Sequence, residues 1–220
     1  MKMILKNNEA IKRKINFKKI NIKKYINNKN FIIFLLSFLI LSIIIGILFY
    51  LYMNNDDKTY INNNITSYFT IKKSYDYLNL LKNSIINNIG NTTIIWLLGI
   101  SIIGIPIIVF LFFSETFSIG FSLSAIIGKY KLKGFIGIIS YLFPSKILYI
   151  LTLFLITYFA LRFSIQIIRY LFFKKDLDLR SYFKKYFKQL IIITILAITC
   201  SILDVFITPF MIKLFTFFIK

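Results

Sequence analysis

The sequence predicts an all-α fold: a polytopic transmembrane helical bundle of about five crossings, with a central region broken by Gly and Pro. Three observations carry the prediction. The 220 residues are 58% hydrophobic, with a mean hydropathy of +0.75, far above a water-soluble domain. The apolar residues fall in continuous runs of the length a helix needs to cross hydrocarbon, about 20 residues, and do not alternate as barrel strands do. The 28 Lys and Arg, which give a formal charge of +20, collect in segments that flank those runs, as cytoplasmic loops do.

Residues 1–30 hold ten Lys and Arg against one acid, Glu9, and read as a basic cytoplasmic arm. Residues 31–220 form a single transmembrane helical domain. Its first span, Phe31 to Met53, carries no charge and ends in Phe49, Tyr50 and Tyr52, aromatic residues suited to the headgroup boundary. The run is too long for a signal peptide and lacks a small-residue cleavage site, so a retained anchor is expected. Residues 54–91 are the longest polar stretch, with apolar residues recurring at three- and four-residue steps, and read as an outer amphipathic segment. Such a helix lies on the bilayer, covers the bundle or meets an external partner. A second span is expected over 92–113, bent near Pro106, whose ring removes a helical hydrogen bond. From Ser114 to Tyr149 two shorter apolar pieces, Phe117–Gly128 and Phe135–Phe143, flank a Lys-rich turn with Lys129, Lys131 and Lys133. A further span starts at Ile147 and stays helical past Arg162 and Arg169, a second basic cytoplasmic loop occupies 170–189, and a last span, broken by Asp204 and Pro209, runs from Ile191 to Phe218. Because both basic segments belong inside, the number of crossings between them is even. One crossing must therefore lie within 114–145, either as Phe117–Gly128 alone or as two half-helices. The N-terminus is then cytoplasmic and the C-terminus outside.

The inventory of reactive side chains is poor. The chain has no His, which removes the commonest acid/base group and metal ligand. Cys200 is the one cysteine, so neither an internal disulfide nor a Cys-x-x-Cys metal site can form. No phosphate-binding glycine loop is present, Ser145–Lys146 is adjacent without a supporting motif, and no cofactor is expected. The positive charge is assigned to membrane lipids and not to nucleic acid. Gly120, Ser124 and Gly128 recur at four-residue steps, which lines small residues on one helix face and favours close approach of another helix; alternatively they shape, with Gly134, Gly137 and Pro144, a backbone that lines a cavity or meets a partner. Glu115 and Asp204 are acids in or beside apolar runs, and intramembrane carboxylates are candidate functional groups. They motivate the alternative of a small transporter or lipid-handling permease, although the sequence shows no cation at matching depth.

Read in order, Gly104-Ile105-Pro106, then Phe117-Ser118-Ile119-Gly120-Phe121-Ser122, then Gly128, Leu132-Lys133-Gly134 and Pro144 resemble the pattern of the stage II sporulation protein M family. That pattern has a G-F-x-x-G-F-like segment; here Thr116 stands for its first glycine, and Ser145-Lys146 follows the proline where relatives often carry Asn or His. The resemblance is closest over 90–165. It implies a non-enzymatic membrane scaffold of the engulfment machinery in endospore-forming bacteria, sited in the cell membrane and holding the cell-wall-remodelling stage II sporulation proteins D and P. Gly104, Pro106, Phe117, Gly120, Phe121, Ser124, Gly128, Gly134, Gly137 and Pro144 are the candidate packing or partner-binding positions.

Overall fold

Long runs of Leu, Ile and Phe, interrupted mainly by Ser, Thr and Asn, leave backbone amides no partner but their own chain in an apolar medium, and helices satisfy them. In the computed structural model, residues 28–69, 77–173 and 179–219 are described, and among them every regular element is helical. They form α1 (Asn28–Tyr52), α2 (Asn55–Phe69), α3 (Tyr77–Gly99), α4 (Gly104–Tyr130), α5 (Gly134–Tyr141), α6 (Ile147–Phe173) and α7 (Leu179–Ile219). A 3₁₀ turn, Lys131–Lys133, joins α4 to α5, and a π turn, Leu142–Lys146, joins α5 to α6. The chain divides into two compact units, residues 1–37 and 38–220. The described part of the first is the opening of α1, with Ile33, Phe34 and Leu36 exposed. The basic arm, except Asn28 to Asn30, lies outside the described residues, as do Lys72, Lys73 and Asp76 and the segment 174–178.

Three stretches among the described residues are long and apolar enough to cross a membrane: Lys29–Tyr52, Gly104–Phe172 and Arg180–Phe218. The middle one is a helical hairpin. Contacts between its arms run in opposite directions, Gly137 against Ile126, Tyr149 against Glu115, and Phe154 against Phe112. The remaining directions follow in the same way. Within the second unit α1 and α4 run parallel, since Phe38, Ser42 and Tyr50 meet Phe112, Thr116 and Phe121. Helix α7 is antiparallel to α3, because Ser84 meets Asp204 while Trp96 meets Tyr186. Helices α1, α4 and α7 therefore point one way and α3 and α6 the other.

Two expected boundaries change. No single span covers 92–113: α3 ends at Gly99 and α4 begins at Gly104, with a reversal between them. Gly104 permits it, because a Cβ there would fall on the Leu98 carbonyl. Pro106 does not bend a span; it sits in the first turn of α4, where backbone amides have no intrahelical acceptor and proline is tolerated. Phe117–Gly128 is accordingly the second half of a full-length helix of 27 residues, neither a short span nor a half-helix. The final span is likewise unbroken, α7 running through Asp204 and Pro209 for 41 residues, about 60 Å. That is twice the hydrocarbon thickness of about 30 Å, and the excess takes Arg180, Lys184, Lys185 and Lys188 on exposed positions of a helix where a loop was expected.

Helix α2 covers one end of the bundle. Phe69 is buried with Ile126, Ile212 and Phe215, its ring 4.7 Å from that of Phe215 and 5.7 Å from that of Tyr130. At the opposite end Tyr186 is sandwiched between Phe163 and Trp96, with ring separations of 4.3 and 5.4 Å, and its hydroxyl donates to the Trp96 carbonyl at 2.8 Å.

Candidate functional site

Helix α3 carries Ser84, Asn88, Asn91 and Thr92 at helical spacing, and turns this polar stripe toward its neighbours while Ile86, Ile94 and Leu97 face outward. This amphipathicity is the reverse of a soluble helix's. It brings amide and hydroxyl groups to both intramembrane acids.

Glu115, midway along α4, is held by two neutral donors. Asn91 Nδ2 donates to Oε1 at 3.0 Å and the Tyr149 hydroxyl to Oε2 at 2.9 Å. Asn91 Nδ2 also lies 3.1 Å from the Tyr149 oxygen, so α3, α4 and α6 meet at a closed polar triangle. Glu115 is half-buried, with Asn91 and Tyr149 as its partners. The cavity next to it measures about 30 Å³, room for roughly one water.

Asp204 on α7 sits in a larger cluster. Ser145 Oγ donates to Oδ1 at 3.1 Å, Thr208 Oγ1 donates to the same oxygen at 3.3 Å, and Ser84 Oγ approaches Oδ2 at 3.5 Å. The Lys146 ammonium is 4.0 Å from Oδ1, both side chains about 30% exposed. The basic partner that the sequence did not reveal is supplied by the turn after Pro144. Phe143 leaves helical geometry there (φ −95°, ψ 136°), which redirects Ser145 and Lys146 toward α7, and the Ser145 carbonyl accepts from Cys200 Sγ at 3.2 Å. Asn88 extends the cluster by donating to Ser201 Oγ at 2.9 Å. Asp204 borders a cavity of about 500 Å³ that reaches Asn64 and Ser67 of α2.

Chemically these two clusters join helices. The Ser145 hydroxyl, at 3.1 Å from Asp204 Oδ1 and 3.2 Å from Thr208 Oγ1, links the turn after Pro144 to α7. Among the described residues no three of Cys, Asp and Glu come together as a metal site would require. Of the other candidate positions, Gly120 meets the backbone of Ile43 and Gly128 the ring of Tyr50. Ser124 is buried between them in sequence, Gly134 backs onto Ile126 and Ile127, and Gly137 onto Phe215 and Ile126. Phe117 packs edge-on against Phe49 at 5.5 Å, and Phe121 lines a groove of about 290 Å³ under α2. The close approaches at Gly120, Gly128, Gly134 and Gly137 leave no room for a larger side chain. Sequence reading passed over Gly46, where a Cβ would meet the Phe117 carbonyl; pairing its position with Gly120 needed the register of α1 on α4. It also passed over Asn91 and Asn88, whose spacing was the available signal.

A family model described as Stage II sporulation protein M matches residues 31–209. No curated protein and no solved structure matches the chain.

Proposed function

The chain belongs to the stage II sporulation protein M family, a sporulation-related group of membrane proteins, and we propose that it is a non-enzymatic scaffold in the bacterial cell membrane. In this reading it recruits and anchors peptidoglycan-remodelling proteins, the stage II sporulation proteins D and P, during engulfment. The observation that carries the proposal is the reach of the family match, which extends from the first residues of α1 to Pro209 in α7 and so takes in the packed bundle. The use of Glu115, Asp204, Ser145 and Asn91 as interhelical ties supports it, since these groups are engaged in holding helices together. The proposed topology has five crossings, α1, α3, α4, α6 and α7, with the N-terminus cytoplasmic and the C-terminus outside. Eighteen of the 28 Lys and Arg fall in residues 1–30 and 162–188, and this excess favours that side as the inner one.

The test is co-purification of the tagged, detergent-solubilised protein from sporulating cells. Retention of both hydrolytic partners is expected; loss of both in a mild detergent that leaves the bundle folded would remove the scaffold reading. A second reading, a small transporter or lipid-handling permease, draws on the cavity beside Asp204. It needs a passage from there to Glu115, which lines a different cavity. Flux into reconstituted vesicles that disappears in Asp204→Asn and Glu115→Gln would favour it over the scaffold.

A further inference from the structure

From the paired cations between α6 and α7, we propose that the bundle holds the phosphodiester headgroup of an anionic phospholipid at its cytoplasmic face. The pocket there has a volume of about 270 Å³ and is lined by Arg162 and Gln166 of α6 and by Tyr182, Lys185, Tyr186 and Gln189 of α7, among others, with no acid among the described lining residues. The flanking helical stretches 161–173 and 179–203 contain no Asp or Glu either, while Asp176 and Asp178 of the segment between them lie outside the described residues. Among the described residues neither cation is paired with a carboxylate. Arg162 Nη1 donates to the Tyr158 hydroxyl at 3.1 Å, which leaves most of its five-donor fork unused, and Lys185 Nζ lies over the Tyr182 ring at 5.9 Å. Two cations without a carboxylate partner among the described residues, together with two side-chain amides around one concavity, are the donor set that a phosphate with ionised oxygens requires.

Depth selects a lipid over a soluble anion. Ser164 Oγ donates to the carbonyl of Gly99 at 2.6 Å and lies 3.3 Å from that of Ser101, which ties the turn between α3 and α4 to the level of Ser164. A hairpin between two membrane helices reverses where hydrocarbon gives way to headgroups. Arg162 and Gln166 bracket Ser164 in sequence, so the pocket sits at that boundary, with the aromatic residues Trp96, Tyr182 and Tyr186 beside it as expected for an interfacial belt. Beyond it, α6 and α7 continue toward water with Arg169 and Arg180, and Lys184 and Lys188 flank the pocket at exposed positions of α7; their field concentrates anionic lipid near the site. The inference rests on the bundle spanning the membrane with the turn between α3 and α4 on the cytoplasmic side, and is independent of the scaffold reading.

Native mass spectrometry of the full-length protein, released from micelles doped with phosphatidylglycerol or phosphatidylcholine, provides the test. One or two phosphatidylglycerol molecules are expected to remain bound under conditions that strip phosphatidylcholine. Lys185→Gln, at an exposed position that cannot compromise folding, is expected to weaken retention about fivefold, the equivalent of about 1 kcal/mol for one cation near a membrane surface. The double variant with Arg162→Gln is expected to weaken it further. Lys184→Gln, one residue outside the pocket, is expected to have less than half the effect of Lys185→Gln. Equal retention of the two lipids, or equal effects of the Lys184 and Lys185 substitutions, would overturn the site. Displacement of phosphatidylglycerol by free glycerol phosphate at comparable concentration would reassign it to a soluble phosphate ester and overturn the lipid assignment.

Discussion

If the triangle of Asn91, Glu115 and Tyr149 ties three helices through the carboxylate, removing the Tyr149 hydroxyl should destabilise the protein only while Glu115 is present. Tyr149→Phe deletes a 2.9 Å bond to Oε2 without altering the packing of the ring, which is buried with Ile119 and Cys200. A hydrogen bond to a charged group contributes about 1.5–3 kcal/mol. Interhelical bonds inside membranes average about 0.6 and reach about 1.7, because the unfolded chain in the membrane also finds partners. The carboxylate retains Asn91 after the substitution, so the expected cost is about 1.5 kcal/mol. Asn91→Leu should cost slightly more, since it also withdraws the donor 3.1 Å from the Tyr149 oxygen. Together the two should cost less than their sum, because the 3.1 Å contact between Asn91 and Tyr149 is lost in either single variant and can be lost only once. In a Glu115→Leu background Tyr149→Phe should cost under about 0.5 kcal/mol. Equilibrium unfolding of the micelle-bound protein, followed by helical circular dichroism through the full double-mutant cycle, measures these differences. The same cost for Tyr149→Phe with and without Glu115 would refute the coupling and leave the hydroxyl bonded to something else.

Gly120→Leu should separate α1 from α4, because even a Cβ there falls on the Ile43 backbone; a loss of about 1–3 kcal/mol is expected, and an unchanged unfolding midpoint would contradict the close approach. Tyr186→Ala opens the stack between Trp96 and Phe163 and should cost about 3–5 kcal/mol, whereas Tyr186→Phe loses one hydrogen bond, about 1 kcal/mol; similar costs for the two would mean that the stack contributes little. Lys146→Met should destabilise less than Asp204→Leu, since the first leaves the carboxylate with three hydroxyl neighbours and the second strands Ser145, Thr208 and Ser84; the same unfolding assay decides the order. The five-crossing topology is read by thiol labelling of intact cells. Leu132→Cys should react with a membrane-impermeant maleimide from outside and Ile103→Cys only after permeabilisation, against the background of Cys200, which is buried; the opposite pattern would invert the orientation.

Composition and apolar run length determined that the chain is a helical membrane protein, because hydrocarbon admits few backbone solutions and the cost of an unpaired amide does not depend on which helix lies beside it. The ordered Gly and Pro positions sufficed for the family, and Glu115 and Asp204 stood out because acids are rare in apolar runs. The boundaries were harder. Ser114 and Glu115 look like an interruption along the chain, and only the arrival of Asn91 and Tyr149 from two other helices makes a continuous α4 tenable. Pro106 looks like a bend until the reversal at Gly104 places it in a first turn. Whether Gly120 serves packing or a cavity depends on the register of α1, which local pattern does not encode, and the meeting of Lys146 with Asp204, 58 residues apart in sequence, depends on the turn at Phe143. Helix type is a local property of the backbone and its solvent, and the sequence by itself determines it. Which polar groups satisfy one another across helices is a property of the packed bundle, and only the tertiary structure decided that.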